Sequence, residues 1–307
     1  MNYRIHPHCQ RYIWIIFILL SITGCQTMTR SVHTKAPASA FPENTIISSE
    51  KKGPVTFEAM MADLKTVRAI YIGEQHTSKA HHAIQLQVIE ELAKQEMDLS
   101  IGMEMFAVPY QPVLNQWSKG ELDRETFLEK IHWYAAWGYP FSLYEDILNF
   151  AGTNRIKVAA LNIPFHIPPK ISIGGIDNLL PEDKVHLPSN VDISVPEHKA
   201  FLEDTFKKHL VPSMKKFDYF YEAQCVWEDK MAESITQNLG TCRMVVLLGN
   251  GHIIHKFGVP NRAYKRNDVD FRTIYLAPFG LEIDMTWGDY IWVTPVDKGS
   301  KPGHPMR

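Results

Sequence analysis

Four stretches of the chain carry residue types able to do acid–base or metal chemistry: Gly73-Glu74-Gln75-His76, Glu104, Asn162 and Gly249-Asn250-Gly251-His252. Each comes at the end of an apolar run, over residues 67–72, 99–103, 156–161 and 244–248. In open α/β sheets, ligands bind beyond the carboxyl ends of the strands, so these groups stand where chemistry occurs. Glycine lets the chain turn sharply and leaves room for a ligand. Neutral imidazole with carboxylate suits Zn, Mn or Fe, and can also hold a water for attack. The chain therefore offers Glu74, His76, Glu104 and His252 as candidate catalytic residues of a hydrolase, with His76, Glu104 and His252 as candidate ligands of a divalent metal. The spacing is neither that of a zinc finger nor H-E-x-x-H. The plain alternative is a polar network in which the four side chains bond one another and only stabilise the strand ends.

The elements that must bring these groups together follow from hydrophobic periodicity. Residues 57–64 and 80–92 read as amphipathic helices flanking the first strand. In the second strand, alternation puts Glu104 on one side with Gly102, and Met103 with Met105 on the other. Helices are predicted over 110–119 and 125–133, separated at Gly120, and over 144–154. A Pro- and Gly-containing insertion, 167–196, is too long for a simple connection and reads as a lid or small subdomain. Helices over 197–216 and 217–239 follow, the second carrying Gln224 and Glu228 on one side. Further strands fall at 271–276 and 290–293. Strands alternating with helices imply an α/β fold, a mostly parallel central sheet with helices on both faces plus a helical insertion. The shared form G-x-x-H at two strand ends suggests duplication of a half-sheet unit.

Between the second and third strands the chain is unusually aromatic, with Trp133, Tyr134, Trp137, Tyr139, Phe141 and Tyr144 close together. Such a segment is either a packed satellite cluster or a wall for a flat, apolar ligand.

Destination is written at the N-terminus. Arg4 and Arg11 precede a nine-residue apolar core, residues 12–20, too short to span a bilayer as a helix. It ends in Ile22-Thr23-Gly24-Cys25, which resembles the lipobox of bacterial lipoproteins, in which the cysteine is acylated. The expected organisation is a signal peptide over 1–24, a lipid-anchored tether over 25–54, one domain over 55–296 and a tail over 297–307. Gln26, in place of an Asp, points to the outer membrane. Once Cys9 leaves with the signal and Cys25 carries lipid, only Cys225 and Cys242 remain to pair. The net charge is -2, and no basic stripe marks a nucleic-acid footprint.

Taken together, Gly73-Glu74-Gln75-His76 with His81-His82, Gly102-Met103-Glu104-Met105-Phe106, Trp137 with Tyr144, Leu161-Asn162-Ile163-Pro164, Gln224 with Met231-Ala232, and Gly249-Asn250-Gly251-His252 with Gly258-Val259-Pro260 resemble the ChaN-type haem-binding lipoproteins of the Tiki superfamily. The match covers about residues 55–265, and Glu228 departs from the family's Asp. The resemblance implies haem binding at the outer membrane in iron acquisition, two protomers holding haems face to face, and a transporter to receive them. It also implies tyrosine at the iron, for which Tyr139 and Tyr144 are the candidates, with His132 and His166 for the propionates or the iron. Metal-dependent proteases of the superfamily use the positions His76, Glu104 and His252.

Overall fold

The computed structural model describes residues 35–37, 41–94, 98–208 and 216–296. The chain opens with three short strands, β1 (Lys35–Pro37), β2 (Ile46–Ser48) and β3 (Gly53–Val55). Helix α1 (Phe57–Leu64), capped by Thr56, leads into β4 (Ala69–Glu74), and α2 (Lys79–Ala93), capped by Ser78, leads out of it. β5 (Leu99–Ala107) is followed by α3 (Gln111–Ser118), α4 (Arg124–Lys130), α5 (Trp133–Ala136) and α6 (Glu145–Thr153). After β6 (Lys157–Asn162) come α7 (Ile167–Gly174), α8 (Pro181–Lys184), α9 (Pro196–Lys208) and the long α10 (Phe217–Leu239). β7 (Arg243–Gly249), α11 (Val259–Asn267), β8 (Phe271–Pro278), β9 (Glu282–Asp284) and β10 (Tyr290–Thr294) complete the order.

The main sheet runs β3-β2-β10-β8-β4-β7-β5-β6. From β10 to β6 every pairing is parallel, and β2 and β3 add an antiparallel edge. β1 pairs with β9 in a separate ribbon. The central strands are buried along their whole length, which is why they read as near-continuous apolar runs. Alternation still sorts their side chains. Ile70 and Ile72 join the core beneath α1, α2, α3 and α6, while Ala69 and Tyr71 join the core beneath α10 and α11. On α10, Met231, Ile235 and Leu239 share one stripe against that second face, each worth about 1.5–3 kcal/mol of burial.

Two expectations change. β5 does not stop at Met103 but continues through Glu104 to Ala107, with its register against β6 shifting after Met103. The carboxylate is tolerated inside the strand because a backbone amide of β7 receives it. The stretch expected as tether already enters the fold: β2 and β3 lie within it or begin there. Of the two readings of the insertion, lid or small subdomain, the packing favours the second, with Ile167, Ile171 and Leu179 closing a small core against Ala223 and Val226 of α10. Cys225 and Cys242 are free thiols. Among the described residues no helix is long and apolar enough to cross a membrane. The signal peptide, Cys25 and the tail from 297 lie outside the described residues.

Candidate functional site

β4 and β7 are neighbours, with Glu74 opposite Gly249, so the two G-x-x-H turns leave the sheet side by side. Their closeness depends on Gly73. A Cβ there would overlap Asn250 Oδ1 and come within 2.7 Å of Ile253 Cδ1. With glycine in place, the Asn250 side chain crosses to donate to the Leu276 carbonyl at 2.8 Å. β5, on the far side of β7, brings Glu104, whose Oε2 accepts the Gly249 amide at 2.7 Å. Asn162, at the end of β6, donates to the Glu104 carbonyl at 2.9 Å, and its own buried Oδ1 has no partner.

Each imidazole is oriented by a carboxylate. His76 Nδ1 donates to Glu74 Oε1 at 2.7 Å. The same oxygen accepts Tyr144 Oη at 2.7 Å, and Glu74 Oε2 accepts Gln85 Nε2 at 2.9 Å. Ser78 sets the start of α2 so that His82 and Gln85 reach back over the turn. The two ring nitrogens of His82 lie 3.2 Å from Gln85 Oε1 and 3.2 Å from the His76 carbonyl. On the other side, His252 Nδ1 meets Glu228 Oε1 at 3.2 Å and its Nε2 lies 3.5 Å from Glu104 Oε1. Glu228 Oε2 in turn lies 3.4 Å from His198 Nε2 and 3.3 Å from Arg262 Nε. The two imidazoles keep a little solvent contact, while Glu74, Glu104 and Glu228 are buried.

Burial alone would neutralise these carboxylates, but their partners win. Burial pushes Glu74 up, yet the His82 and His76 charges and hydrogen bonds hold it at about 2. Glu104 and Glu228 are likewise held below the usual range against burial, Glu104 chiefly by His252 and Glu228 chiefly by His198. Burial lowers His252, but Glu104 and Glu228 lift it to about 10. His76 also rises, with Glu74 and Glu104 outweighing burial. The edge is thus an alternating array of carboxylates and imidazoles that favours charge separation and can take or give protons. Among the described residues, no group of three or more His, Cys, Asp or Glu side chains is arranged to hold a metal ion.

The aromatic segment lies directly against this array. The Trp137 and Tyr139 rings each sit 5.0 Å from the His76 ring, and Phe165 packs 5.5 Å from Trp137. Tyr139 is half-buried, with its carbonyl accepting Trp133 Nε1 at 2.9 Å. Tyr144 is fully buried, and its hydroxyl serves Glu74. His132 is exposed on a left-handed backbone at the start of α5. His166 is largely open and bonded to Asp183 at 3.0 Å.

The structure therefore brings Glu74, His76, Glu104, His252, Tyr139 and Tyr144 into one neighbourhood, and leaves His132 and His166 at the surface on the flanking segments. His198 and Arg262 were not legible as site neighbours. Arg262 is buried, paired with Asp229 and Glu228, and bonded to the Asp192 carbonyl, and so anchors the insertion to α10 and α11. In the sequence it is one of two arginines four apart on a polar helix, Arg262 and Arg266, and nothing there sets it apart.

A family model described as "Haem-binding uptake, Tiki superfamily, ChaN" matches residues 60–263. No curated protein matches the chain. Among solved structures, the fold is similar to one titled "Cofacial heme binding to ChaN of Campylobacter jejuni", at 20% identity and a TM-score of 0.66, covering 82% of this chain and 98% of that one. An erythromycin esterase mutant in its open conformation aligns at 13% identity and a TM-score of 0.44, covering 76% of this chain and 77% of its own. A succinoglycan biosynthesis protein aligns at 12% and 0.44, covering 76% and 72%.

Proposed function

The chain belongs to the ChaN family of haem-binding uptake proteins in the Tiki superfamily, and from that premise we propose that it binds haem against the aromatic segment and serves iron acquisition at the bacterial outer membrane. The observation that carries the placement is the wall of Trp137, Tyr139 and Phe165 beside His76, at the edge of the sheet where ligands collect. A porphyrin asks for flat apolar contact and one oxygen or nitrogen donor for the iron. The residues fit that demand: Tyr139 is half-buried among rings, and its phenol is the oxygen donor we assign to the iron. Tyr144 has the other part. Its hydroxyl fixes Glu74, which fixes His76, so it braces the wall from behind.

Tyr134, on the same segment, is 67% exposed, which suits the periphery of a bound porphyrin. His132 and His166 serve the propionates. Acylation of Cys25 holds the protein at the membrane, a second copy closes over the exposed haem face, and a transporter takes the cargo onward. The test is a haemin titration of the full chain read by absorbance, with metal content measured in parallel. Saturable binding with a defined Soret band supports the reading, and linear, non-saturating uptake overturns it.

A second reading is favoured by one observation, the two imidazoles whose Nδ1 atoms are each held by a carboxylate and which flank a shared Glu104. This is the arrangement of an acid–base pair for hydrolysis. In it Glu74 and Glu228 fix the rings, and His76 takes a proton from water while His252, charged at neutral pH, returns one to the leaving group. Among the described residues no group of three or more His, Cys, Asp or Glu side chains is arranged to hold a metal ion, and in this reading the two imidazoles carry the proton transfers. Hydrolysis of a broad ester and peptide panel that disappears in His76→Ala supports it.

A further inference from the structure

We propose that His198, carried on α9, is a positioning residue of the strand-end site: it fixes the Glu228 carboxylate that holds His252, so that the orientation of His252 depends on the docking of α9 and the insertion before it. The geometry stands by itself, and its chemical consequence rests on the acid–base reading of the array. Arg262 sets the direction of the hydrogen bonds. A guanidinium has only donors, and Arg262 Nη2 lies 3.3 Å from His198 Nδ1, so that nitrogen accepts and the neutral ring keeps its proton on Nε2. Burial favours the neutral ring as well, pulling His198 down against the Glu228 charge. Nε2 is turned to Glu228 Oε2, 3.4 Å away, and Arg262 Nε lies 3.3 Å from the same oxygen. Neither donor is in line with Oε2, which is held between the two. Glu228 Oε1 is left for His252 Nδ1 at 3.2 Å, and His252 Nε2 faces Glu104.

Backbone closes the other side of the carboxylate. A Cβ at Gly258 would come within 2.6 Å of Glu228 Oε1, so the carboxylate rests against the chain there. Arg262 does not replace His198, because its Nη1 is committed to Asp229 and the Asp192 carbonyl. Without the imidazole, Glu228 is free to turn toward Arg262 Nε and draw Oε1 away from His252. The end of the insertion places His198. The Asp192 amide donates to Asp229 Oδ2 at 2.7 Å and the Tyr221 hydroxyl to the Val195 carbonyl at 3.3 Å, which fixes the chain just before α9 begins at Pro196. His198 is buried, and α9 also covers the loop that follows His252, with the Phe201 ring 5.6 Å from His255 and 6.3 Å from Phe257. α9 therefore reaches the His252 turn by two routes, through Glu228 and through that loop.

The experiment is NMR of the full chain with isotope-labelled histidine, in wild type, His198→Asn and His198→Gln, the ring signals of His76 and His252 being assigned by their loss in His76→Gln and His252→Gln. Asparagine keeps a partner for Arg262 but is too short to reach Glu228, and glutamine returns an N–H donor near the place of Nε2. In wild type the His198 ring is expected to carry its proton on Nε2 alone. The His252 Nδ1 proton, sheltered by Glu228, is expected in wild type, lost to exchange with water in His198→Asn and restored in His198→Gln, while the His76 Nδ1 proton held by Glu74 persists in all three. A His198 proton on Nδ1, or a His252 signal untouched by His198→Asn, overturns the proposal. So does loss of the His252 and His76 signals together with no return in His198→Gln, which makes the role merely structural. The wild-type proton position is read without any variant, so an unfolded His198→Asn leaves that arm to decide. On any substrate of the ester and peptide panel that the wild type cleaves, His198→Asn should lower kcat about a hundredfold at unchanged KM, and His198→Gln should recover most of it. A panel without a substrate fails the acid–base reading and leaves the NMR result to judge the positioning role.

Discussion

Tyr144 and Glu74 meet at 2.7 Å across seventy residues of sequence, and this one hydrogen bond joins the aromatic segment to the polar strand-end array. Because Glu74 Oε1 also holds His76 Nδ1, the wall and the array share a carboxylate oxygen. Removing the phenol leaves a buried carboxylate short of a donor while the ring still packs. Tyr144→Phe is expected to cost about 1–3 kcal/mol of stability, as for a hydrogen bond to a charged group. Chemical denaturation measures it, and haem affinity should survive within the same preparation. Loss of haem binding with unchanged stability would make Tyr144 a ligand instead.

Gly73 is the packing condition of the site. An added methyl would displace Asn250 and Ile253, so Gly73→Ala should destabilise the protein by about 1–3 kcal/mol, in the range of core overpacking. The matching test is local. Gly138→Ala, whose Cβ would meet nothing within 4 Å, should leave the melting temperature almost unmoved.

How much of this was legible in the sequence divides along physical lines. The parallel α/β architecture was, because buried central strands write themselves as apolar runs and the helices between them as three- and four-residue periods. Convergence of Glu74, His76, Glu104 and His252 was also legible, since parallel strands put all their carboxyl ends on one edge. The edge strands β2 and β3 were not, because three-residue pieces carry too little periodicity to stand out from a polar tether. Nor were His198 and Arg262, because their partners lie on helices whose packing depends on the insertion. Tyr144 looked equivalent to Tyr139 in sequence, and only the burial of its hydroxyl against Glu74 distinguishes them.

The array should give the protein a pH signature on the alkaline side. His252 is lifted from its ordinary 6.5 to about 10 in the folded state, so its contribution to stability is complete below pH 6.5 and is lost as pH rises through 10. Glu74 is held at about 2 against an ordinary 4.5, so its contribution is present above pH 4.5 and lost as pH falls through 2. Thermal melts across this range should fall on both flanks. In His252→Gln the alkaline fall should flatten while the acid flank remains, and an unchanged alkaline limb would show that the imidazole is not charged.

Arg262 should be the costliest single side chain outside the sheet. It is buried against Glu228 and Asp229, so Arg262→Met removes a buried cation from both, leaving Asp229 with Arg266 and Glu228 with His198 and His252, and is expected to cost about 3–5 kcal/mol. Protease sensitivity should rise first in the insertion, which Arg262 holds through the Asp192 carbonyl.

The central claim, haem held on the aromatic wall by Tyr139, is tested most directly by haemin titration of the full chain, wild type beside Tyr139→Phe and His76→Ala. The account predicts a tyrosinate-type spectrum in the wild type and in His76→Ala, and its loss with weakened binding in Tyr139→Phe. A spectrum untouched by Tyr139→Phe but abolished by His76→Ala would contradict it and move the iron to the polar array.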